Sequence, residues 1–353
     1  MSKRVFLLGA GFSRLAGLPL ASDLWHFVLD YLKNSRDMRD TGSSGFYKEL
    51  LHFTEKIEVH YPWLLENVEL LFTYIDLAHL HGNLGIFKKF FNDFAKLRIF
   101  RWRLSGALYR TIRYKHDEFR SVNRKITEQH KNANKIYWWF CKQLNNSDTV
   151  ITYNYDLIVE IGLWLQNKWT FLDGYGILKK IESFQSNGIG YPPKKPTHSS
   201  IKIYKLHGSL GWFYDEQNED IIFGEINDSF DDYFGNYYEN NRSDLCVRHD
   251  EGTTFIEPSF VKLFNRRILL DIWAKAFQEI LKADELIIIG YSLPYADSAA
   301  ITFLSSSIRC SNISNLKVVN PNPMVYAKFE NLFNRKIISE SYKFEDWIEQ
   351  HMC

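Results

Sequence analysis

An α/β protein with a doubly wound parallel sheet and a large all-helical insertion is what this sequence predicts, and three observations carry the prediction. Short, nearly continuous apolar runs recur at Arg4–Leu8, Thr149–Thr152, Ile201–Leu206, Leu286–Ile289 and Lys317–Val319, with glycine or polar residues at their carboxyl ends. Strands covered on both faces by helices read this way, whereas half-solvated antiparallel strands alternate. Helical patterns fall between the runs, at about Leu20–Leu32, Asp156–Leu165, Arg266–Leu281 and Asp297–Ser307, the alternation a Rossmann-like sheet requires. About 140 residues separate the first run from the second, far more than one crossover helix uses.

In chain order, Val5-Phe6-Leu7-Leu8 is a buried strand running into the glycine turn Gly9-Ala10-Gly11. Arg14 follows soon after and no small-x-small cleavage site appears, so a secretory leader is not expected. From about Asn34 to Asn146 the pattern is helical. Phe87, Phe90, Phe91 and Phe94 follow an i, i+3, i+4, i+7 spacing, and Leu104, Leu108 and Ile112 continue a similar stripe. Gly42-Ser43-Ser44-Gly45 reads as a flexible connection. The expected organisation is a core of residues 1–33 and 147–353 carrying a helical insertion of residues 34–146. Gly174–Ser200, with Pro192, Pro193 and Pro196, and Asp215–Gly252, rich in Asp, Asn, Tyr and Gly, read as long irregular loops.

Composition narrows the class. With 353 residues and 45% hydrophobic side chains, the chain has ample material for a core, and disorder as its main state is excluded. Cys141, Cys246, Cys310 and Cys353 form no C-x-x-C pair, against a disulfide framework or zinc ribbon. His79 and His81 are two apart, on different helix faces, so no metal site is expected there. The longest later apolar run, Leu286–Gly290, falls far short of the roughly 20 residues of a membrane helix. A cytoplasmic protein fits. The formal net charge of +1 conceals a segregation: Ile86–Lys135 carries 14 Lys+Arg and 4 Asp+Glu, while Asp215–Glu251 carries 2 and 12. These blocks are solvated faces, partners for one another, or a basic face for nucleic acid or an acidic protein.

The chemistry-bearing residues sit at the ends of the predicted strands. Gly9-Ala10-Gly11-Phe12-Ser13 follows the first, and glycines there let backbone amides approach a pyrophosphate. The third glycine of the dinucleotide fingerprint is absent and no acidic residue follows at the usual spacing, which disfavours a standard dehydrogenase. Thr152-Tyr153-Asn154-Tyr155-Asp156 ends the second strand, Leu206-His207-Gly208-Ser209 another, and Gly290-Tyr291-Ser292-Leu293 and Asn320 end two more. Open α/β sheets bind ligands at these ends.

On these residues the sequence resembles the sirtuin (silent information regulator) family: G-A-G-F-S at Gly9–Ser13, G-L-P at Gly17–Pro19, T-x-N-x-D at Thr152–Asp156, H-G-S at His207–Ser209, G-x-S at Gly290–Ser292, and Asn320 after a hydrophobic strand. The order is the family's, and the motifs cover the α/β core. The zinc module with two C-x-x-C pairs is missing, and Leu20-Ala21 follows Pro19 where deacylating members carry Phe and Arg. The variant pattern is similar to the divergent bacterial branch that destroys NAD⁺ in anti-phage defence.

That resemblance implies an NAD⁺ glycohydrolase with NAD⁺ as substrate and no metal. Asn154 would hold the ribose hydroxyls and orient a water, and His207 would act as general base, its ordinary pKa of about 6.5 suiting proton transfer near neutrality. Ala10, Gly11 and Ser13, with Gly9, would cradle the pyrophosphate; Gly290, Ser292 and Asn320 would bind the adenosine half. Asp156 would hold the nicotinamide carboxamide or cap the following helix. Pro294 and Asp297 read as residues that open a helix rather than chemical ones. NAD⁺-dependent deacylation or ADP-ribosyl transfer, and a non-catalytic NAD⁺ or ADP-ribose sensor, are the alternatives. A toxic hydrolase must be restrained, so the expected partners are further copies of the chain, as a homo-oligomer, or a separate regulatory protein such as an ATPase or nucleic-acid-sensing protein, with no membrane involved.

Overall fold

The computed structural model describes residues 2–34, 44–120, 128–170, 173–176, 201–215, 220–223, 253–255, 259, 267–294 and 297–351. Its strands are β1 (Arg4–Leu8), β2 (Thr149–Thr152), β3 (Lys202–Lys205), β4 (Gly208–Asp215), β5 (Asp220–Phe223), β6 (Thr253–Phe255), β7 (Glu285–Ile289), β8 (Asn315–Val319) and β9 (Ile338–Glu340). Six of them form one sheet in the order β3-β2-β1-β7-β8-β9, and every neighbouring pair is parallel. This is the Rossmann-like order, in which the chain winds outward from β1 to one side and then to the other. Val5, Phe6, Leu7 and Leu8 are fully buried, as are Val150, Ile151, Leu286 and Ile288, so the uninterrupted apolar runs follow from burial on both faces.

The predicted strands lie where the apolar runs do. The difference is β9, whose three residues are exposed or half-buried and thus carry no apolar run. A second difference is a three-stranded antiparallel sheet in the order β5-β4-β6. Its outer strands fall at the margins of the segment read as an irregular loop. Residues 177–200 and 224–252, the bulk of both predicted loops and of the acidic block, lie outside the described residues.

The helices are α1 (Ala10–Ser13), α2 (Leu24–Asn34), α3 (Ser44–His60), α4 (Val68–His81), α5 (Phe94–Arg120), α6 (Glu128–Gln143), α7 (Ile158–Trp164), α8 (Arg267–Leu281), α9 (Ser298–Arg309), α10 (Met324–Phe333) and α11 (Phe344–His351). α3 to α6 fill the long interval between β1 and β2. α4 starts with Asn67 accepting a hydrogen bond from the Glu69 amide at 2.8 Å and stops at Gly82 in the left-handed conformation, the pair of ends that defines a helix locally.

The phenylalanine stripe does not make one α-helix. Gly85–Lys89 forms a 3-10 turn and Phe94 opens α5, because Gly85 takes φ 52° and starts a tight turn. Phe87 and Phe91 are buried all the same, with Phe91 centred 4.6 Å from Phe53 and 5.4 Å from Phe100. Leu104, Leu108 and Ile112 are buried along α5 as expected. Ser44 and Gly45 belong to α3 rather than to a linker, and residues 42–43 lie outside the described residues. No helix among the described residues is long and apolar enough to cross a membrane.

Candidate functional site

Because the sheet is wholly parallel, the carboxyl ends of β3, β2, β1, β7 and β8 lie side by side. The first of these motifs is a turn of helix rather than an open loop. Gly9 precedes α1, Arg14–Ala16 continues as a 3-10 turn, and Gly17 closes it at φ 81°. Gly9 and Gly290 are required by contact. A Cβ on Gly9 would lie 2.6 Å from the Tyr291 Cα, and one on Gly290, itself at φ 64°, would lie 2.3 Å from the Phe12 amide nitrogen.

The glycines thus let two backbones pack directly, and the Gly11 amide donates to the Gly290 carbonyl at 2.8 Å. This amide, expected to face a pyrophosphate, is taken up by the β1–β7 junction in this structure. Phe12 anchors the turn in an aromatic cluster with Tyr137, Phe140 and Phe344. The Tyr137 hydroxyl, from α6, donates to the Phe12 carbonyl at 2.8 Å and accepts the Ala16 amide at 3.2 Å.

Beyond β2, the Tyr153 amide donates to the Leu8 carbonyl at 3.1 Å, and the Asn154 amide donates to Thr152 Oγ1 at 3.0 Å. Asn154 Nδ2 then donates to the Gly9 carbonyl and to Ser13 Oγ, both at 2.9 Å. Since a carbonyl only accepts, the amide orientation is fixed. Asn154 Oδ1 remains as an acceptor with no partner among the described residues, on a half-exposed side chain.

Ser13 is buried and its hydroxyl also donates to Asp156 Oδ2 at 2.7 Å. The hydroxyl, expected at a pyrophosphate, links Asn154 to Asp156. Asp156 Oδ1 accepts the Ile158 amide at 3.2 Å at the start of α7. This contact gives Asp156 the helix-start role expected of it, and protein donors reach both carboxylate oxygens of a residue only 5% exposed. Beneath it, fully buried Lys205 on β3 donates to the Asp156 carbonyl and pairs with buried Glu160 on α7 at 2.9 Å.

His207 lies in the two-residue turn between β3 and β4, where Gly208 at φ 86° swings the chain into the antiparallel sheet. Thr152 and Lys205 are register partners, so Asn154 and His207 each stand two residues beyond a paired position on adjacent strands. The imidazole is packed among rings: Tyr153 at 5.0 Å, Tyr155 at 6.3 Å and Trp273 of α8 at 6.4 Å. Its Nε2 lies 3.4 Å from Asp297 Oδ2, and the Tyr291 hydroxyl donates to that same oxygen at 3.1 Å. Tyr153 and Tyr291 stack at 4.6 Å. Burial pushes both phenols well above their ordinary value, with Asp297 adding to the effect.

Sequence reasoning missed Asp297, Tyr291, Tyr153 and Trp273 as parts of this cluster. The one signal for Tyr153 and Tyr291 was their place inside strand-end motifs. Asp297 offered none, because an acidic residue before a helix reads as its cap.

At the far side, Ser292 is exposed, whereas Asn320 is turned inward. Its Nδ2 donates to the Tyr291 carbonyl at 3.4 Å and its Oδ1 accepts the Asn322 amide at 2.9 Å, so the amide expected at an adenosine holds the β7 and β8 turns together. Leu293 has φ 53°, a left-handed conformation that costs a bulky residue roughly 1–2 kcal/mol. Such strain concentrates where a turn is functionally over-determined. Among the described residues no group of three or more His, Cys, Asp or Glu is placed to hold a metal.

Fold and site together define a Rossmann-like α/β protein with polar side chains converging at the carboxyl ends of its strands. Residues 148–309 match the family model of the SIR2-like domain. The match takes in Asn154, Asp156, His207, Gly290 and Ser292; Gly9–Ser13 and Asn320 lie outside it. Among solved structures, the chain is similar to Sir2Tm bound to a propionylated peptide at 15% identity and a TM-score of 0.41, over 99% of this chain and 92% of that one. A Sir2 homologue mutant in complex with ADP-ribose is similar at 14% identity and a TM-score of 0.38, over 99% and 90%. No curated protein matches the sequence significantly.

Proposed function

We propose that the protein is an NAD⁺ glycohydrolase that cleaves the bond between nicotinamide and ribose, as an NAD⁺-depleting effector of bacterial anti-phage defence. The observation that carries the chemistry is Asn154: its NH₂ group is fixed on the Gly9 carbonyl and Ser13 Oγ, which turns Oδ1 outward as a pre-oriented acceptor. Ribose hydroxyls and water are donors, so the group suits both. The SIR2-like match over Asn154 and His207 supports NAD⁺ as the molecule bound, and an ADP-ribose complex is known for a structurally similar Sir2 homologue.

In the proposed reaction the C1′–N bond breaks with its electron pair leaving on nicotinamide, and the ribose acquires oxocarbenium character. Water held by Asn154 Oδ1 attacks C1′ and gives its proton to His207, yielding ADP-ribose. Holding the water and sugar in line removes much of the entropic barrier. Asp156, Ser13 and Lys205 act at one remove by keeping Asn154 in place. Control by self-association or by a separate regulatory protein, such as an ATPase or a nucleic-acid sensor, completes the proposal.

Purified protein incubated with NAD⁺, alone and with any protein encoded beside it, should release nicotinamide and ADP-ribose in equal amounts. Asn154→Ala and His207→Ala should each abolish release. Intact NAD⁺ under both conditions would refute the hydrolase reading; release that requires an acylated peptide would replace it with deacylation. NAD⁺ binding without turnover, unaffected by both substitutions, would indicate a sensor.

A further inference from the structure

We propose that Asp297 is the positioning residue for His207: its buried carboxylate sets which imidazole nitrogen carries a proton and stabilises the imidazolium formed when the other nitrogen accepts one. The catalytic meaning of the pair rests on the hydrolase reading; the pairing itself rests on geometry.

Three observations carry it. Asp297 Oδ2 and His207 Nε2 are 3.4 Å apart, within ion-pair reach and long for a hydrogen bond, as catalytic contacts often are before substrate tightens them. An aspartate immediately before a helix ordinarily accepts amides of the first turn. Asp297 stands at that position before α9 yet makes no side-chain cap bond, so its carboxylate is turned away from its own helix and toward the β3–β4 turn. Finally, Tyr291 donates to the same oxygen at 3.1 Å from the end of β7, and Tyr153, from the end of β2, stacks on Tyr291 and against the imidazole. Two strand ends therefore meet one carboxylate that is 4% exposed, with Tyr153 of a third packed on both contacting rings, where a lone charge would be costly to bury.

With Nε2 turned to Asp297, Nδ1 is the nitrogen that takes the proton from water. The other groups facing the pair are Tyr153 and Tyr155 after β2, Tyr291 after β7, Trp273 from α8, and Glu69 in the first turn of α4, which acts electrostatically on Tyr291. Burial keeps Tyr153 and Tyr291 neutral at working pH, and Lys205 is committed to Glu160 and the Asp156 carbonyl. Among the described residues, Asp297 is the carboxylate paired with the imidazole.

The test is an NMR titration of ring-labelled histidine in the full chain, with the His207 signal assigned by its loss in His207→Gln. In Asp297→Asn and Asp297→Ser the His207 pKa should fall by about one unit, a tenfold loss of proton affinity, and Asp297→Glu should restore part of it. Asparagine and serine both cap helices well, so a purely structural role would leave the titration unmoved, and an unmoved titration in folded variants overturns the proposal. Nicotinamide release supplies the second readout: kcat should fall with KM little changed, and the acid limb of the kcat profile should move with the NMR value. If wild-type protein releases no nicotinamide, the hydrolase reading fails while the titration still decides the pairing.

Discussion

Replacing Lys205 by methionine tests the electrostatics beneath the site. The ammonium is fully buried, 2.9 Å from Glu160 Oε1, and it also donates to the Asp156 carbonyl. At a separation of 2.9 Å and an effective dielectric of about 20, the attraction is about 6 kcal/mol before desolvation is subtracted. Methionine fills most of the same volume, so the loss is chiefly of charge. It leaves buried Glu160 without its cation, with the Tyr175 hydroxyl, at 3.2 Å, as its donor among the described residues, and breaking a buried pair from one side typically costs about 3–5 kcal/mol. The double variant Lys205→Met/Glu160→Gln removes both charges and keeps an acceptor for Tyr175, so it should recover at least half of that loss. Urea unfolding of the wild type, both single variants and the double variant closes the cycle, with an unchanged denaturant slope as the control on compactness. A single-variant loss below about 1 kcal/mol, or strict additivity in the double variant, would refute the reasoning.

Gly290→Ala should destabilise the chain and abolish binding at the site together, because the added methyl meets the Phe12 amide nitrogen at 2.3 Å in a backbone held at φ 64°; thermal melting and NAD⁺ titration check both. Tyr137→Phe removes a buried hydroxyl that serves the Phe12 carbonyl and the Ala16 amide, for a loss of about 1–3 kcal/mol in urea unfolding. Tyr137, Tyr153, Tyr175 and Tyr291 are all held by burial well above their ordinary value. Above pH about 10 the unfolded chain releases these phenolic protons while the folded one retains them, so stability should be level below that pH and fall as pH rises beyond it. Absorbance titration near 295 nm should show these four ionising only as the protein unfolds; reversible ionisation with the fold intact would contradict the burial.

How far the sequence foretold this arrangement depended on whether a residue's role was local. β1 and β2 lie on their apolar runs because burial on both faces writes itself directly into composition. β9 is three exposed or half-buried residues and leaves no such trace; its place is set by β8 beside it. The Phe87–Phe94 stripe mimicked a helix because a 3-10 turn and a following bend can bring the same side chains inward. At the site, Asn154 and His207 were legible as strand-end residues. Asp297 was not, since its carboxylate turns from its own helix toward a turn 90 residues earlier in the chain. Gly11, Ser13 and Asn320 read as ligand contacts, and their bonds to neighbouring turns could not be seen in the sequence, because each partner lies far along the chain or depends on how a turn closes.

The Tyr137 contact bears on how the molecule can be taken apart. A shortened chain joining α2 directly to β2 looks feasible from the sheet alone, since β1 and β2 are adjacent strands. Such a chain would strip the Phe12 carbonyl and the Ala16 amide of their shared partner and open the ring cluster around Phe12 and Phe344 to water. The first turn after β1 is built against α6, so removing the helical segment should cost the core stability as well as the segment itself.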